Sequence, residues 1–150
     1  MNKNQIIELL IQNKKFENDD EMYIFAEMIE ELVELSNQKS LNIDDIHNLI
    51  SVVWDANESD YGYLMDMFCD ILEGVIYQSG DEGFKVFVLK TLIKNEGHEE
   101  LSLILNKFLY ENNRYQNIIK DLYKDLDSEN KKRMLNLFNS ANLKNYSLFK

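Results

Sequence analysis

Residues 55–78, DANESDYGYLMDMFCDILEGVIYQ, carry two patterns at once. At 100° per residue, Tyr61, Leu64, Phe68, Ile71, Leu72, Val75 and Ile76 fall on one broad apolar face, which predicts a helix docked against a core. Tyr63, Asp66, Asp70, Glu73 and Tyr77 follow one another at steps of three and four on the opposite side. Asp55, Glu58 and Asp60 add three carboxylates in the joint at the mouth of the helix. Burying the apolar face does not require this stripe of acids and tyrosines. It is therefore the candidate binding surface.

The same helical period extends through the rest of the chain. Ile6, Ile7, Leu10 and Ile11 predict a helix over 2–13. Phe25, Met28, Ile29, Leu32 and Leu35 predict a second, running to 37 and capped by Asp19 or Asp20. Its far side carries Glu27, Glu30, Glu31 and Glu34 beside Tyr23, an acidic face like the first. Ile43, Ile46, Leu49, Ile50 and Val53 predict a third helix up to Trp54, whose large ring suits a core anchor. Ser79-Gly80 closes the helix of the opening stretch, with glycine suited to a left-handed turn. Four more apolar faces predict helices over 81–95, 98–110, 115–126 and 129–140. The tail, 141–150, is polar and loose unless Tyr146, Leu148 and Phe149 dock it.

Composition agrees with this picture. A chain of 150 residues with no proline and five glycines favours helices joined by short turns. No strand alternation of useful length interrupts them. Consecutive amphipathic helices with short joints pack antiparallel, so the expected fold is all-α and single-domain. Three helix pairs of similar length fit a short HEAT-like helical solenoid, with a globular helical bundle as the alternative. One cysteine, Cys69, excludes an internal disulfide and fits a reducing, cytoplasmic setting. No secretion signal and no membrane span are expected.

The net charge of −11 is unevenly spread. Between Glu17 and Glu73 stand sixteen acids and one base, Lys39, a net −15 against +4 elsewhere. Such a field disfavours nucleic acid and anionic membrane and steers basic proteins. No catalytic constellation accompanies it. Cys69 borders an apolar face, where an inert buried thiol is expected. Asp44–His47 and His98–Glu99–Glu100 fall short of three or four converging metal ligands. The spacing Asp55-x-Asn57-x-Ser59 lacks a calcium loop's glycine at the sixth position, which is Asp60, and its glutamate at the twelfth, which is Asp66. No enzyme activity, cofactor or metal is expected. The partner-binding residues are Asp55, Glu58, Asp60, Tyr63, Asp66, Asp70, Glu73 and Tyr77.

The acidic joint leading into Leu64-Met65 and Ile71-Leu72-Glu73, then Leu103-Ile104-Leu105-Asn106, Tyr115 and Ile118-Ile119, resembles bacterial immunity proteins of polymorphic and contact-dependent toxin systems. The chain is most similar to the HEAT-like immunity protein 30 family. That resemblance implies neutralisation of a cognate toxin by direct binding. Such toxins are often nucleases whose basic clefts an acidic surface can block. The alternative is an intracellular scaffold or adaptor holding a basic protein segment.

Overall fold

The computed structural model describes residues 1–54, 60–93 and 98–149. These residues form eight helices and no strand: α1 (Lys3–Gln12), α2 (Asp19–Asn37), α3 (Ile43–Leu49), α4 (Gly62–Gln78), α5 (Gly80–Ile93), α6 (His98–Glu111), α7 (Asn113–Asp125) and α8 (Ser128–Phe138). The expected all-α class is the observed one.

Local chemistry sets the helix ends. Asn2 and Asn42 each close a reciprocal capping box, with Gln5 and Asp45 as the third partners. Asn18 caps α2, so the expectation of Asp19 or Asp20 is corrected. Those two acids and Glu21 sit in the first turn, where the exposed N–H groups favour negative charge. Asp127 caps α8. Gly80 has φ +71°, the left-handed conformation expected after α4. The third helix is shorter than expected. It tightens into a 3₁₀ turn at Ile50–Val52, and Val53 is extended. This swings Trp54 out of the helix, so that its Nε1 donates to the Lys14 carbonyl at 3.1 Å and its ring meets Phe16 at 6.0 Å.

The helices alternate between two layers. In one layer α1 packs on α3, α3 on α5 and α5 on α7. In the other, α2 packs on α4 and α6 on α8, while side chains of α4 and α6 meet between them. Neighbours within a layer run parallel. Lys3 reaches Asp45 and Lys14 reaches the Ser51 carbonyl from the two ends of α1. Likewise Glu73 faces Lys107 and Tyr77 faces Glu111 along α4 and α6. This order, in which every second helix is a neighbour, is that of a short solenoid.

One apolar core runs between the layers from Ile6 to Leu143. The segment after α8 is docked on it. Leu143 is fully buried, Phe149 stacks on Tyr123 at 4.4 Å, and the Tyr146 hydroxyl donates to the Asn106 carbonyl at 3.4 Å. As far as residue 149 the segment is thus docked through Tyr146, Leu148 and Phe149, the side chains expected to hold it if it docked. Its three spaced apolar side chains outweigh the polar residues between them.

Candidate functional site

The layer containing α2, α4, α6 and α8 carries almost all the charge asymmetry. Its helices hold, in order, seven acids and no base, three acids and no base, three acids and one base, and one acid and three bases. Their net charge is −10, against −1 for the helices of the other layer. The sign also changes along the layer, from strongly acidic at α2 to basic at α8. Ten acids of the acidic segment thus stand on α2 and α4 at one end of this layer, while Asp44 and Asp45 stand on α3 in the other.

The α2–α4 pair is the centre of this field. Phe25 and Phe68 meet beneath it, 6.2 Å apart, and hold the two helices side by side. Above that contact Glu27, Glu30, Glu31 and Glu34 of α2 are exposed, as are Asp66 and Asp70 of α4. Among the described residues none of these six carboxylates lies within ion-pair distance of a base. Tyr23 is 62% exposed, Tyr63 57% and Met67 44%, so aromatic and apolar contact area is interleaved with the charge. Asp60 is exposed in the turn leading into α4. Asp55 and Glu58 lie outside the described residues, as does the discounted calcium-like spacing.

Two members of the expected stripe turn towards α6 instead. Glu73 lies mostly buried with its Oε1 3.3 Å from Lys107 Nζ, an ion pair without hydrogen-bond alignment that leaves this oxygen otherwise unsatisfied. Burial raises the Glu73 carboxyl above its ordinary range, and Lys107 offsets only part of that effect. For Lys107, burial is the largest single effect and pulls the other way, but Glu73, Cys69 and Asp70 together outweigh it and hold the ammonium above its usual value. Tyr77 donates its hydroxyl to Glu111 at 3.0 Å, while its ring rests on Phe108 and Tyr115. Burial and the neighbouring Glu111 carboxylate push its phenol up to about 12. The open part of the face is therefore Tyr63, Asp66, Met67 and Asp70 with the α2 glutamates. Glu73 and Tyr77 form its border with α6. Sequence reading missed Met67 as a surface residue, although its position one turn after Tyr63 marks the same side of the helix.

Among the remaining chemical candidates, the His98 side chain lies outside the described residues, and Cys69, His47 and Asp44 are occupied. Cys69 is buried, and desolvation pushes its thiol up to about 12, which leaves it protonated and unreactive. His47 Nδ1 lies 3.3 Å from the Thr91 hydroxyl. Asp44 pairs with Lys90, whose hydrogen bond and charge hold its carboxyl below the ordinary range. Among the described residues no three His, Cys, Asp or Glu side chains converge as a metal site. No described helix is long and apolar enough to cross a membrane. In comparisons with known proteins, no family model, curated protein or solved structure matches the chain.

Proposed function

We propose that this protein acts by binding, and that its α2–α4 face holds a basic protein partner in the manner of an immunity protein neutralising a toxin. The observation that carries the proposal is the pairing of two acidic helix faces. Six exposed carboxylates, unpaired with any base among the described residues, stand on two neighbouring helices together with Tyr23, Tyr63 and Met67. A face serving only solubility or helix stability gains from mixed signs, because like charges three and four residues apart destabilise a helix. Repulsion of this kind is relieved when a partner supplies the opposite charge. Electrostatic steering would speed encounter with a basic toxin cleft and disfavour other partners. The tyrosines add rigid contact area with polar tips.

The test is coexpression with the product of the adjacent gene, reading cell survival and copurification. Rescue from that product's toxicity, with a stable complex, supports an immunity role. If the product is not toxic and no complex forms, the immunity role fails and an adaptor for a basic segment takes its place.

A further inference from the structure

The glycines of this chain have unequal reasons to be glycine. Gly80 sits at φ +71°, where side chains are strained. At Gly83 an added Cβ would lie 2.2 Å from the Ser79 Cβ. Gly74 has neither reason. It lies inside α4, partly exposed, and a Cβ there would meet nothing within 4 Å. Glycine within a helix is unfavourable relative to alanine, and no contact among the described residues accounts for it.

Position supplies the reason. Tyr63, Met67, Asp70, Gly74 and Tyr77 are spaced four, three, four and three residues apart along the outer side of α4. Their mean spacing of 3.5 residues is that of a seam between two helices packed side by side. Tyr63, Met67 and Tyr77 are 57%, 44% and 45% exposed, with Tyr63 and Met67 before Gly74 on this line and Tyr77, at the border with α6, after it. Asp66 borders the seam on α4, and Glu27, Glu30, Glu31 and Glu34 stand exposed on the neighbouring α2.

We infer that α4 is one half of a helix–helix seam, and that its occupant is a basic amphipathic helix of the partner with a large apolar side chain seated over Gly74. This rests on the binding role proposed above and adds the form of the partner. The absent Cβ allows close approach, the tyrosines and Met67 frame the inserted side chain, and the acids on either side select lysines and arginines flanking the partner's apolar stripe.

The test uses a synthetic 21-residue helix with leucine and alanine on its seam positions and lysine on the flanks, a version with every lysine replaced by glutamate, and the intact protein. Calorimetry should show saturable binding of the lysine helix and none of the glutamate helix. Gly74→Ala should raise Tm by about 2–4 °C, because alanine is the better helix former, yet weaken binding severalfold. Gly74→Leu should weaken it at least tenfold, while Tyr110→Ala, on the exposed side of α6, leaves it within twofold. Equal binding by wild type, Gly74→Ala and Gly74→Leu would overturn the seam. If Asp66→Lys/Asp70→Lys still abolished that binding, the acidic face would stand without it. Failure of the wild type to bind the lysine helix would also overturn the seam, while rescue by coexpression would separately keep the binding role.

Discussion

Glu73 shows how one side chain changes role when its neighbours are known. In the helical pattern it belongs with Asp66 and Asp70, yet Lys107 and burial draw it into the α4–α6 joint. Its carboxyl is raised in the folded state, so folding favours the protonated form. The stability it contributes is fully present below the ordinary carboxyl range and is lost as pH rises through the raised value. Glu73→Gln mimics the protonated form. It should therefore raise Tm at pH 7 and change it little near pH 4, in thermal unfolding followed by circular dichroism. Lys39 offers a second test. It holds φ +56° after α2, where the Ser40 N–H reaches back to the Leu35 carbonyl at 2.9 Å. A left-handed lysine is strained where glycine would not be, so Lys39→Gly should stabilise by about 1 kcal/mol in urea titration.

Among the helices, the tail and the acidic pair make contrasting demands. The segment after α8 contributes Leu143 to the core with no exposed surface, so Leu143→Ala should cost about 2–5 kcal/mol. Leu135, 38% exposed on α8, should cost less than about 1 kcal/mol when cut to alanine. The difference would appear as a shift in urea midpoint with an unchanged slope. On α4, Asp66 and Asp70 are exposed and unpaired among the described residues, so Asp66→Lys/Asp70→Lys should leave helicity intact and weaken partner binding at least tenfold. Lost helicity or unchanged affinity would remove these residues from the binding face.

At the scale of the whole molecule, the solenoid order turns a charge gradient along the chain into one across space. The net −10 of the second layer is concentrated at α2 and α4, and α8 at the far end is basic. At 0.15 M salt, screening acts over about 8 Å, so α8 should contribute little to an encounter centred on α2 and α4. Reversing Lys131 and Lys132 to glutamate should therefore leave partner affinity within twofold. Raising salt from 0.05 to 0.5 M should slow association of the wild type strongly and change dissociation less, as stopped-flow mixing would show.

The helical period and the glycine stop after α4 were legible in the amino-acid sequence, because they depend on residues within one or two turns of each other; the cap of α2 was not, because Asn18, Asp19 and Asp20 stand side by side and all three can cap a helix. The acidic segment and its tyrosines were legible for the same reason. Which of those side chains stay open was not. Glu73 and Tyr77 meet Lys107 and Glu111 across 34 positions of sequence, contacts that helical spacing alone cannot encode. Nor could the pattern on α3 foresee that Trp54 would leave the helix for Lys14 and Phe16. Local physics determined the helices and their charge. The packing of every second helix against the next decided which acids were neutralised at a joint and which remained as a surface.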